Sequence, residues 1–182
     1  MTDQVTDQVT DRVTDQVADR VTDKAPITAL QEVGRVAWQD IEDSSGSAAA
    51  IPFLLAAIAS GDAAAALNAL DRLRHRICRH GFVVGQATAV TVPFLWGLAQ
   101  RPRTTCRVQI LQLLRDIADA RQWEITAAAH PKVRRRHGVY VEWESAARHA
   151  VRAQRGALVG LLAEQDSELV HATRALASTL TD

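Results

Sequence analysis

The chain has 182 residues, 47% hydrophobic but only 4% aromatic, and its 21 basic side chains are matched by 21 acidic ones. That length holds one ordinary domain with its own core, and an Ala-, Leu- and Val-rich composition poor in aromatics favours closely packed helices over sandwiches and barrels. A zero net charge argues against a strongly basic duplex-DNA binder. With no apolar run of spanning length and no basic start before an apolar stretch, the reading is a cytoplasmic protein without a membrane span or signal peptide.

Residues 1–25 repeat a Thr-Asp-x-Val unit. On a helix, Val5, Val9, Val13, Val17 and Val21 would drift by about 40° per step against 3.6 residues per turn, so they hold no coiled-coil seam. The same spacing stacks Asp3, Asp7, Asp11, Asp15, Asp19 and Asp23 four apart, a like-charge ladder on residues of poor helix propensity. This low-complexity tail is expected to be disordered or a marginal helix. Its six Asp against Arg12, Arg20 and Lys24 leave it net minus three and the remainder plus three.

From residue 27 to 182 the pattern is that of a single all-α domain. Leu30, Val33, Ala37 and Ile41 recur at helical spacing up to the Ser-Ser-Gly of 44–46, which predicts a first helix. Ile51, Leu54, Leu55 and Ile58 mark a second, ended by Gly61, with Asp62 as the next N-cap. Ala66, Leu67, Leu70, Leu73 and Ile77 form the stripe of a third, stopped by His80-Gly81. Thr91, Phe94, Leu95 and Leu98 give another helix, and Val108, Leu111, Leu114 and Ala118 one more, its stripe widened by Ile110, Leu113 and Ile117 towards burial on two sides. After a segment near 120–137, helices follow on Trp143, Ala146, Ala147 and Ala150, on Leu158, Leu161 and Leu162, and on Leu169, Thr173, Leu176 and Leu180. Gly81 and Gly138, each after a histidine, read as helix ends of positive φ.

An internal repeat runs through this pattern. "IPFLLAAIASGDAAAALNALDRL" aligns with "VPFLWGLAQRPRTTCRVQILQLL", Pro52 on Pro93 and Leu70 on Leu111, at an offset of 41 residues. That lies in the range of about 40 to 47 residues of HEAT and armadillo units. "HGFVVGQATAV" and "HGVYVEWESAA" echo each other at an offset of 57, which makes the 120–137 segment an insert of about 16 residues. With Pro52 and Pro93 early in the first helix of each pair, Asp62, Pro102 and Asp166 in the turns, and small aliphatics in the second helices, residues 30–180 resemble the HEAT-repeat proteins of the armadillo-like class, in particular a group of bacterial members. The resemblance implies antiparallel helix pairs stacked as a short superhelix. The consensus Val-Arg of the second helix is replaced or missing here, and the insert breaks the period.

Basic residues cluster at 72–80 (Arg72, Arg74, Arg76 and Arg79, with His75 and His80) and at 132–137 (Lys132, Arg134, Arg135, Arg136 and His137). Arg72, Arg76, Arg79, His80, Arg134, Arg135, Arg136 and His137 are the candidate interaction surface, since a helical stack can align such residues on one face. The opposing reading is that both clusters are solvated helix faces, because aromatics are not interleaved with them as single-strand binding requires. His75, Cys78 and His80 lack the spacing of a zinc site; Cys78 and Cys106 sit in apolar stripes and read as buried free thiols, and neither a metal nor another cofactor is expected. No phosphate loop, nucleophile elbow or HExxH occurs. Trp123-Glu124 and the Tyr140 to Glu144 run suggest a carboxylate beside an aromatic pocket, an arrangement used by HEAT-like alkylpurine DNA glycosylases. Against it, Glu144 and Arg148 stand four apart like a surface ion pair. The expected function is therefore a non-enzymatic scaffold that binds another protein, and the alternative is a nucleic-acid-binding, DNA-glycosylase-like protein using the two basic clusters.

Overall fold

The structure is a computed structural model that describes residues 31–181, apart from the side chains of Pro131, Val133, Arg134 and Arg136. The Thr-Asp-x-Val tail lies outside these residues. The described part is mostly helical: α1 Ile51–Ser60, α2 Ala63–Ile77, α3 Gln86–Ala99, α4 Arg107–Asp119, α5 Gln122–Ala129, α6 Pro131–Ala153, α7 Leu158–Leu162 and α8 Ser167–Thr181. Two antiparallel ribbons complete it, β1 Glu42–Asp43 with β2 Gly46–Ser47, and β3 Cys78–Arg79 with β4 Val83–Val84.

The first helix expected from the sequence does not form. Residues 32–35 and 38–40 are separate 3-10 turns, divided by extended backbone at Val36 (φ −82°, ψ 131°). Trp38 turns inward, donates its indole N–H to the Val33 carbonyl at 2.8 Å and meets the Phe94 ring at 5.9 Å. A side chain that is 3% exposed removes far more apolar area from water this way than a marginal helix offers. The β1–β2 ribbon then covers the end of α2. Ser44 donates its hydroxyl to the His75 carbonyl at 2.5 Å and its N–H to the Arg76 carbonyl at 3.0 Å, and the Thr88 hydroxyl donates to Ile77 O. Three carbonyls that a helix leaves without partners are thus satisfied from distant parts of the chain.

The other helix ends follow local chemistry. The Asp62 carboxylate accepts from Ala65 N–H, and Asp166 accepts from Glu168 and Leu169 N–H, so each caps the helix after it. Gly61 serves by close approach and not by positive φ: a Cβ there would lie 2.5 Å from the Ala57 carbonyl oxygen. His80 and Gly81 have φ of 57° and 79° and form the turn of the β3–β4 ribbon. Gly138 differs from expectation, because it has no positive φ and continues α6 immediately after a break at His137 (φ −130°, ψ 24°).

The helices pack on one another as follows. α1 lies on α2, α3 on both α4 and α6, α4 on α8, α7 on α8, and α5 on α6. The Arg74–Asp116 ion pair, 3.4 Å, joins α2 to α4. Trp96, Leu95, Leu98, Ile110, Leu111, Leu113 and Leu114 are fully buried, so α3 and α4 supply the centre of the core, as the wide stripe on α4 predicts. Arg107 binds this centre to the C-terminal part, donating to the Ala99 carbonyl at 2.7 Å and to the Glu164 carboxylate at 2.6 Å. No helix among the described residues is long and apolar enough to cross a membrane.

Candidate functional site

The insert is where chemistry-bearing side chains gather. α5 is short and Ala127 is its only buried residue, while Ile125 is 64% exposed. Apolar burial alone cannot hold such a helix, and polar contacts from α6 do so instead. Glu144, 0% exposed, accepts the N–H of Trp123 at 2.8 Å and of Glu124 at 2.9 Å, one to each carboxylate oxygen. These are free donors of the first turn of α5, and a carboxylate there is favoured by both the hydrogen bonds and the helix dipole. Arg148, four residues on, donates to the Ala120 carbonyl and pairs with Glu124 at 2.8 Å. The expected Glu144–Arg148 surface pair is therefore replaced by a clamp in which both side chains grip the insert.

The clamp fixes Trp123 over α6. Its ring stacks on Tyr140 with centroids 4.6 Å apart and planes 17° from parallel, and His137 lies 5.8 Å from Trp123 and 5.7 Å from Tyr140. Trp143 meets Tyr140 edge to face at 5.1 Å. Trp123 and Tyr140 are partly exposed and His137 is exposed. The sequence separates Trp123 from this group by a whole helix, and nothing in its spacing signals the stack.

The basic clusters divide. In the first, Arg76 is bound at 2.7 Å to Asp43, whose carboxylate is fully buried, and Arg74 is paired with Asp116. Arg72, Arg79 and His80 are exposed, with the His80 ring 6.3 Å from the exposed Phe82. In the second, Lys132, Arg135 and His137 are exposed, and the side chains of Arg134 and Arg136 lie outside the described structure. The β4 strand, which pairs with Cys78 and Arg79 in the ribbon, touches α6, which carries the second cluster.

Cys78 and Cys106 are buried free thiols. Burial, reinforced by the nearby Asp116 charge and opposed by Arg74, pushes the Cys78 thiol up to about 12. Burial likewise raises Cys106. Among the described residues no three His, Cys, Asp or Glu side chains come together in a way that holds a metal ion.

A separate cleft of about 430 Å³ opens between α4 and α8. Val108, Ala172 and Ala175 give it an apolar floor, and Gln112, Arg115, Glu168 and His171 stand at its rim.

Site and fold together define an all-α chain with an aromatic cluster beside a basic run. Compared with protein families, with curated proteins and with solved structures, it matches none.

Proposed function

We propose that residues 51–181 form a short HEAT-like stack and that the protein is a non-enzymatic interaction module for a protein partner. One observation carries the reading. The two segments related by the 41-residue offset are each a packed helix pair, α1 with α2 and α3 with α4, and the second pair continues onto α6 and α8. Such stacks offer a long surface for their size, and the cleft between α4 and α8 is a concave part of it. An amphipathic helix of the partner suits it, apolar side to Val108, Ala172 and Ala175, with the mixed charges of Arg115, Glu168 and His171 at the edges.

The carboxylates near the aromatic rings do not favour base-excision chemistry. Glu144 is committed to the α5 amides and Glu124 to Arg148, so we do not assign them a catalytic role. The test of the module is affinity capture from the source cells with the full chain and with Ala175→Arg, which fills the cleft. The expected result is a stoichiometric protein held by the unaltered chain and lost from the variant; a partner retained equally by both would remove the cleft from the proposal, and capture of no stoichiometric protein would end it.

A further inference from the structure

We infer that the insert is a binding surface for single-stranded nucleic acid: the Trp123–Tyr140–His137 rings stack bases, and the exposed Lys132 and Arg135 contact the phosphates. The surface shares no residue with the α4–α8 cleft and stands independently of the protein-binding proposal.

Three observations carry it. First, the rings gather at the C-terminal end of the basic run on α6. Trp123 arrives from α5 and packs beside His137 and Tyr140, and His137 ends the run that begins at Lys132. Partly exposed aromatic faces beside cations form the platform on which unpaired bases stack, whereas a duplex hides its base faces.

Second, the platform is held in place before any ligand arrives. Trp123 is fixed through its backbone by buried Glu144, and the Arg148 clamp holds the same turn. A rigid ring loses little freedom on binding, which favours affinity. Glu144 is thus a positioning residue for Trp123.

Third, the local charge is positive. Residues 130–141 contain no acidic side chain. Of the acids next to the rings, Glu144 is buried on the α5 amides, Glu124 is exposed but paired with Arg148, and Glu142 is exposed. An anionic strand meets net attraction there, and the rings select a ligand whose anionic groups alternate with flat faces over one that is merely acidic.

The test is fluorescence anisotropy of the full chain with labelled oligothymidylate and oligouridylate of about fifteen nucleotides, a duplex of equal length as comparison and polyglutamate as competitor. The expected outcome is tighter binding of at least one single strand than of the duplex. Trp123→Ala should then weaken binding by about ten-fold, the size of one lost base–aromatic stack. Lys132→Gln and Arg135→Gln should each lower the slope of log affinity against log salt by about 0.7, the contribution of one single-strand phosphate contact. Circular dichroism monitors folding. If Trp123→Ala loses helicity, Arg135→Gln, whose side chain is exposed, decides the matter through its salt slope. The inference is overturned by no binding at low salt, by equal affinity for the duplex, by equally effective competition from polyglutamate, by wild-type affinity of a folded Trp123→Ala, or by an unchanged salt slope in Arg135→Gln.

Discussion

At the scale of single residues, the two cysteines are legible from sequence and Glu144 is not. The sequence sets Cys78 and Cys106 in apolar patterns; the structure buries both, although Cys78 lies in β3 just past α2 and Cys106 just before α4. Their thiols should resist a disulfide reagent at mildly alkaline pH in the native protein and react fully after unfolding in guanidinium; rapid native reaction would contradict the burial. The pH dependence has a definite sign. The folded chain holds the Cys78 proton to about 12 while an unfolded thiol releases it near 9.0, so between those values the folded state binds more protons and the contribution to stability falls as pH rises. Cys78→Ala should flatten this fall in urea titrations made across the alkaline range. Glu144 escaped because its spacing to Arg148 is that of a surface pair. Only the arrival of α5 reveals a carboxylate that loses its water and gains two amide donors in exchange.

At the scale of elements, the helices with strong apolar stripes appear where periodicity puts them, and the exceptions have physical causes. The 30–41 segment carries a helical pattern, but it also holds Gly34 and an indole with a buried destination. Tertiary burial of Trp38 overrides a weak local preference. α5 is the opposite case, a helix with little apolar face maintained by a polar clamp. Glu144→Ala should lower the unfolding free energy by about 2 to 4 kcal/mol, because two amides lose a charged acceptor. Hydrogen exchange should quicken first at residues 121–129. Exchange that rises evenly over the whole molecule would show that α5 is not a separately held element. Glu144→Gln keeps one acceptor oxygen and should show a smaller effect of the same kind.

At the scale of the whole molecule, α3 and α4 are the centre to which other parts attach. The segment before α1 reaches α3 through Trp38 and Phe94, and the Glu164 loop reaches α4 through Arg107. Trp38→Ala should therefore cost about 3 to 5 kcal/mol, the range for removing a large buried aromatic, measured as a shift in the urea midpoint with the slope unchanged. A change below about 1 kcal/mol would mean that residues 31–50 lie on the domain without supporting it. The 41-residue offset marks α1–α2 and α3–α4 as related segments in the sequence itself, whereas the aromatic surface belongs to the insert that breaks the pattern.

Composition and periodicity by themselves determined the all-α class, the Asp62 cap, the two buried thiols and most helices, since each depends on residues within a turn or two of one another. Tertiary structure alone decided that Trp38 leaves its helix, that Arg76 is tied to a buried Asp43, that Glu144 caps a helix other than its own and that Trp123 lies on Tyr140. Those contacts join residues far apart in the chain, where spacing carries no information and the choice falls to burial, unmet hydrogen bonds and charge.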